Sequence, residues 1–344
     1  MMGKVLLGLV TLYVAVAAVW VASAGVIRES GEQVELLNVA CDPTRELWRD
    51  LNARFRDRYQ AQTGQKINIR MSHGGSGSQA RAVIDGLAAD VITLALWTDT
   101  DAVRKAGLVA ENWEQSLPNR SLPYISTIVF VVRKGNPKQI HDWTDLARSD
   151  VQVITPSPKT SGNGKWSFLG IWGAVVWRGG TEAEARDLVT RVYRQVPVLD
   201  AAARGATMTF ASKGIGDVHL TWENEAHLEV QESKGALEIV YPPLSVLAEP
   251  HVALVDRNVD SKGTRAVTES YLRFLYTDQA QEVIAQHFHR PTNPVVFARH
   301  RDLFPDLDLR RATTLVPSEN WDVLQKRFFA EGALFDQIYA EGRR

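Results

Sequence analysis

The chain has 344 residues, 45% hydrophobic and 23% charged, enough for two ordinary cores and a fold that needs no outside support. Its 39 basic and 40 acidic residues leave a formal net charge of −1, which excludes a basic field for nucleic acid and a polybasic stripe for an anionic membrane. A single cysteine, Cys41, excludes an intramolecular disulfide and any multi-cysteine zinc or iron–sulfur site.

Val5 to Ile27 carries no charge, Lys4 precedes it, and Ala22-Ser23-Ala24 has the small-x-small form a signal peptidase cuts after. Residues 1–24 are therefore expected to be an export signal, with an uncleaved membrane anchor as the alternative. Val34 to Ala40 reads as a buried strand, and Cys41 as a small buried side chain at its end. Asp42-Pro43 is a helix start with Asp as cap; Leu47, Leu51, Phe55 and Tyr59 give a helix over Thr44 to Gln62, stopped by Gly64. A strand at Ile67 to Met71, the loop His73-Gly74-Gly75-Ser76-Gly77, a helix over Ser78 to Ala89 and a strand over Val91 to Leu96 follow. Strand, helix, strand, helix, strand predicts a parallel, doubly wound sheet with its loops at the strands' carboxyl ends.

Tyr124 to Arg133 starts a second series of the same class. It continues with strand Val151 to Thr155, the loop Pro156 to Lys165, a helix through Trp172, a helix over Thr181 to Gln195 and strand Val218 to Trp222. Beyond Tyr241-Pro242-Pro243 come a strand at Val252 to Val255 and a helical tail bearing Leu272, Phe274, Leu275, Phe328, Phe329, Leu334 and Phe335. The expected organisation is α/β and two-lobed: 32–121 with 243–335 in the first lobe, 122–242 in the second, and the tail returning to the first.

The glycine-rich loop around Ser76 lies between a strand and a helix, so its free N–H groups and the helix dipole suit an anion. Pro158 to Lys165 is a matching loop in the second series. There the backbone and Ser161 are the better candidates, since Lys159 and Lys165 beside a loop are more often solvated. Ala203-Arg204-Gly205 precedes a short helical stretch. Trp222 closes a strand, where its indole N–H is a donor. A nucleophile elbow fails for want of the last glycine of Gly-x-Ser-x-Gly, although a secreted hydrolase using Ser76 and His73 stays open as a competing class. No dinucleotide or phosphate-loop motif is present. His287-x-His289 lacks the neighbouring ligands of a metal site, and Glu223 with Glu225 reads as a helix-start charge pattern.

These residues resemble the periplasmic sulfate-binding proteins and their thiosulfate-binding relatives. The resemblance is carried by Leu36-Leu37-Asn38-Val39, Asp42-Pro43-Thr44-Arg45-Glu46-Leu47, Ser72 to Gly77, Val132 to Lys138, Ser161-Gly162, Ala203-Arg204-Gly205, Gly214 to Asp217, Trp222 to Glu225 and Leu247 to Pro250. It implies a type II periplasmic binding protein fold with the ligand between the lobes, no catalytic residue, no cofactor and no metal. It also implies a monomer that delivers sulfate, thiosulfate or a relative such as molybdate to the permease subunits of an ABC importer. Carried over residue by residue, it implies that the anion is held by the hydroxyl and N–H of Ser76, the hydroxyl of Ser161, the N–H groups of Gly162, Asn163 and Ala203, and the indole of Trp222. Asp42, His73, Gly75 and Arg204 would stand behind them. Asn163 departs from the family, which often has a second glycine there.

Overall fold

The computed structural model describes residues 33–342, so the leader expected over 1–24 lies outside the described residues. The first lobe opens with β1 (Val34–Cys41), α1 (Arg45–Thr63), β2 (Ile67–Gly74), α2 (Ser76–Ile84), β3 (Val91–Thr93) and α3 (Trp97–Lys105). In α1, Leu47, Leu51 and Phe55 are buried on the predicted face, and Gly64 ends the helix at φ 73°, where a side chain would be strained. Asp42 does not cap it: Asp42–Thr44 forms a single 3-10 turn, and the Asp42 carboxylate accepts from Arg45 at 2.6 Å. The helix expected to begin at Ser78 starts at Ser76, so the glycine loop is shorter than the sequence suggested.

β4 (Tyr124–Ile125), whose Tyr124 packs in the first lobe's core, leads into the second lobe, which holds β5 (Ile128–Arg133), β6 (Val153–Ile154), α4 (Gly162–Val176), α5 (Glu182–Arg194), α6 (Ala203–Thr207), β7 (Val218–Trp222), α7 (Glu223–Glu232) and β8 (Leu237–Val240). There follow β9 (Leu244–Leu247), β10 (Val252–Leu254), α8 (Asp256–Lys262), α9 (Arg265–Phe274), α10 (Asp278–Gln286), β11 (Arg290–Pro291), α11 (Pro294–Arg299), β12 (Asp308–Arg311), α12 (Trp321–Phe328) and α13 (Leu334–Gly342). The first sheet has the order β10-β3-β1-β2, with β1 parallel to both neighbours and β10 antiparallel at the edge. The second has the order β6-β7-β5-β8 and is mixed, because β5 runs antiparallel to β7 and β8.

The expected strand over Tyr124 to Arg133 is broken at Ser126-Thr127, where the chain passes between lobes. Ser126 and Ala248 exchange backbone hydrogen bonds of 3.0 and 2.9 Å there. Side chains brace the same crossing: Thr127 Oγ1 donates to Val246 O, and Ser245 Oγ to Ile128 O, each at 2.8 Å. After β10 the chain supplies Tyr271, Leu272, Phe274, Leu275 and Ile284 to the core of Leu36, Leu47, Leu51 and Phe55.

Its last two helices do otherwise. Trp321, Leu324, Phe328, Phe329 and Phe335 join Phe168, Trp172 and Tyr193 in the second lobe's core, which corrects the expectation that the whole tail returns to the first. Periodicity showed that these helices have an apolar face; it carried no information on which surface covers it. The Phe328 ring lies 5.7 Å from Phe168 and 5.1 Å from Trp172, edge-on to both. Phe328→Ala is expected to cost about 3–5 kcal/mol in urea unfolding. A loss below about 1 kcal/mol would show the tail to be loosely docked.

Candidate anion-binding site

Four helix starts converge between the lobes. Gly75 precedes α2, Ser161 precedes α4, Ala202 precedes α6 and Trp222 precedes α7, and none of the four supplies a side-chain cap. The first-turn N–H groups of a helix have no intrahelical acceptor, so the uncapped starts leave donors free at the positive ends of the helix dipoles, apart from the Glu223 N–H, which donates to Thr127 O at 3.1 Å. They meet at a small cavity lined by Cys41, Asp42, Gly75, Ser76, Ala95, Ser161, Gly162, Asn163, Ala203 and Trp222, among others. The six residues named from sequence are thus brought together. The Trp222 indole Nε1 is buried in this lining with no hydrogen-bond partner, which is costly for a donor unless something else meets it.

Ser76 departs from expectation. Its hydroxyl donates to Asp99 Oδ2 at 2.6 Å and accepts from the Ala95 N–H at 2.9 Å, so its own N–H is the donor that remains. Asn163 Nδ2 donates to Leu220 O at 2.9 Å, while its Oδ1 is buried without a partner. Of the four residues expected behind the site, Asp42 and Gly75 line it. His73 is half-buried with Nδ1 3.5 Å from Cys41 O, and burial, then the Arg45 charge, holds its pKa below the usual value. Arg204 pairs with Glu225 at 2.8 Å within its own lobe and with Glu46 at 2.5 Å across the cleft.

Among the described residues no lysine or arginine lines the cavity, and the acids around it are each paired: Asp42 with Arg45, Asp99 with Lys165, Glu223 with Arg290, Glu225 with Arg204. Burial still pushes the Glu225 carboxyl up, to about 8, against the pull of Arg204, and raises Glu223 as well. The pairing cancels the acids and leaves the donor field positive. Lys165, expected in solvent, is buried against Asp99. Lys159 donates to Phe329 O and Ala330 O just after α12 and to Asp336 in the first turn of α13.

Sequence reasoning missed Asp99, Lys165, Glu46 and Asn224, whose Nδ2 reaches Pro43 O at 2.7 Å across the lobes. Asn224 alone had a signal, its place beside Trp222. Ser76 and His73 do not form a nucleophile–base pair, since the Ser76 hydroxyl is bonded to Asp99 and Ala95. His287 pairs with Asp50, whereas His289 is buried against Tyr124, so the two do not share a face.

Two glycines set how closely the lobes approach. A Cβ on Gly75 would stand 2.4 Å from Thr160 O, and one on Gly162 would stand 2.2 Å from the Ala95 Cβ.

The profile of the bacterial extracellular solute-binding proteins matches residues 37–290. The chain belongs to that family. It is 48% identical to a sulfate-binding protein of Escherichia coli K12 over 89% of this chain and 93% of the relative. It is 47% identical to a thiosulfate-binding protein of Pseudomonas aeruginosa over 89% of this chain and 92% of the relative. The sulfate-binding protein SubI of Mycobacterium tuberculosis superposes with a TM-score of 0.77 at 31% identity, covering 86% of this chain and all of that one. The fold is thus that of the two-lobed periplasmic binding proteins.

Two outcomes follow for this family member. Gly162→Ala is expected to force the lobes apart at about 1–3 kcal/mol, read as a larger radius of gyration in small-angle scattering than the unaltered chain. Equal radii would show that this contact does not limit closure. Cys41, whose thiol burial pushes up to about 12, should resist a maleimide at pH 7 when folded and label fully in urea. Rapid labelling of the folded chain would place the thiol in solvent.

Proposed function

We propose that this protein captures sulfate between its lobes outside the cytoplasm and delivers it to the permease of an ABC-type importer, binding without catalysing a reaction. The observation that carries the reading is the buried, unpartnered Trp222 Nε1 in a cavity where four uncapped helix starts meet. Such a lining suits a fully ionised oxyanion, which has lone pairs on every side and no proton to place. Curated relatives at 47–48% identity are sulfate- and thiosulfate-binding proteins, which supports the same ligand class. The leader expected over 1–24, with Lys4 ahead of an uncharged run that begins at Val5, supports export to the periplasm.

The candidate donors are the N–H groups of Ser76, Gly162, Asn163 and Ala203, the Ser161 hydroxyl and the Trp222 indole. At roughly 1.5–3 kcal/mol for each bond to a charged group, they supply about 9–18 kcal/mol gross. That leaves room for micromolar or tighter binding after the costs of closure and ordering. No countercharge in the cavity is needed. Hydrogen phosphate brings a proton into a lining dominated by donors, so its binding should be at least about a hundred-fold weaker than that of sulfate.

Titration calorimetry of the anion-free exported chain with sulfate, thiosulfate, molybdate and phosphate tests this. One-to-one binding of sulfate, weakened by about 1.5–3 kcal/mol in Trp222→Ala, is the expected result. Binding of none of the four would overturn the proposal. A preference for thiosulfate would reassign the ligand within the same site.

A further inference from the structure

The helical run that begins at Ala203 does not stop with α6: it continues through one wider, π-helical turn, Met208–Ser212, and no side chain caps its start. So short a run cannot hold its own direction, and the Ala203 N–H points where the neighbouring elements set it. Three ties within the second lobe do this. At the front, Arg204 Nε meets Glu225 Oε2 of α7 at 2.8 Å. At the far end, Arg133 of β5 donates to Phe210 O at 3.2 Å and to Gly216 O at 2.9 Å, with its guanidinium 3.9 Å from the centre of the Phe210 ring. Between them, the Thr207 hydroxyl donates to Glu229 Oε1 of α7 at 3.0 Å, and the same oxygen lies 2.8 Å from His219 Nδ1. His219 is in β7, the strand that ends at Trp222, so the middle tie joins the run bearing Ala203 to the strand and helix on either side of Trp222.

We propose that His219, Glu229 and Thr207 are positioning residues for anion capture: a buried imidazole–carboxylate–hydroxyl chain that sets the run from Ala203 in register with Trp222, so that both donors converge on one ligand. This rests on the reading of the cavity as an anion site. His219 and Glu229 are 0% and 3% exposed. His219 pairs in the sheet with Val131 and Ile154, and its ring lies 5.7 Å from that of Phe210, all three belonging to one apolar cluster. Polar groups in such surroundings are costly unless bonded, and a carboxylate shared by an imidazole and a hydroxyl is satisfied in one arrangement only. Apolar neighbours such as Ala206 and Phe210 would let the run slide or turn at little cost. The chain of polar groups supplies the direction that this packing lacks. Because it lies within one lobe, it holds Ala203 in place whatever the separation of the lobes, so that the cost of ordering this donor falls on folding and not on binding. Its effect falls on Ala203, whereas Gly162 and Asn163 are carried by α4.

Titration calorimetry and amide hydrogen exchange on the full exported chain test this. Thr207→Val, which keeps the side chain's outline and removes only the hydroxyl, is expected to weaken sulfate about five-fold, and Glu229→Gln about ten-fold. At saturating sulfate the Ala203 amide should exchange at least about five-fold faster in both variants, while the amides of Gly162 and Asn163 stay within about two-fold of the unaltered chain. The double variant His219→Leu with Glu229→Met replaces the polar pair by apolar side chains. It is expected to recover the melting temperature lost in Glu229→Gln but not the sulfate affinity, because packing returns and direction does not. A purely structural role would show the reverse, with affinity returning together with the melting temperature. Should Glu229→Gln fail to fold, Thr207→Val decides by the same exchange pattern. Full affinity in the double variant, or an Ala203 amide that exchanges no faster than its unaltered rate, in a chain that binds sulfate would overturn the positioning role alone. No sulfate binding by the unaltered chain would overturn the capture reading and this inference with it.

Discussion

Charge taken out of water has to be met by something else, and this constraint shapes the whole cleft. The four carboxylates around the cavity, Asp42, Asp99, Glu223 and Glu225, are each tied to a basic partner, and none of those partners is in the lining. Had they been left unpaired, their negative field would cancel the helix starts. Had their basic partners lined the cavity, any anion would be attracted through a long-range, salt-sensitive field. Pairing them off leaves a lining whose polarity comes from oriented N–H groups, fixed by the helices and active only at hydrogen-bond range.

That arrangement depends on two lobes that close to a set distance. The crossing at Ser126 and Ala248 is braced by side chains from both strands, so the lobes are joined by a short, hydrogen-bonded hinge. On the cleft side, Gly75 against Thr160 and Gly162 against Ala95 bring backbone to within a distance that no side chain would allow. Each donor group is carried by one lobe or the other: Ser76 by the first, Ser161, Asn163, Ala203 and Trp222 by the second. On the proposed reading a ligand is surrounded only when both are in place, which makes binding and closure one event.

Much of this was legible in the sequence. The strand and helix periods placed the loops at Ser76 and Ser161, the strand end at Trp222 and the short helical segment at Ala203, and the structure gathers all of them at one cavity. Local signals also gave the helix of Arg45–Thr63 and its glycine stop nearly to the residue. What escaped was pairing at long range. Lys165 looked solvated because its partner Asp99 is 66 residues away, and Arg290 finds Glu223 at a separation of 67. The side-chain preference of a lysine or glutamate says nothing about a partner that only tertiary structure supplies. The same limit explains the last two helices: their apolar faces were evident, but the choice of Phe168 and Trp172 over the first lobe's core is a matter of how the surfaces fit.

The neutral lining and the glycine contacts together select a ligand in two independent ways. Donor geometry favours an ion with acceptors on every face and no proton of its own, because a proton would displace a donor without gaining an acceptor in return. The backbone contacts at Gly75 and Gly162 limit size, since an ion too large for the cavity would hold Gly162 off Ala95 and break the network that includes Ser76, Asp99 and Lys165. Asn163 bears on the second. Its amide is anchored to Leu220 O, which adds side-chain volume where a glycine would leave room. On the proposed reading, discrimination among tetrahedral anions is set where the first turn of α4 meets the Ser76 loop, and the hinge only has to let that contact form.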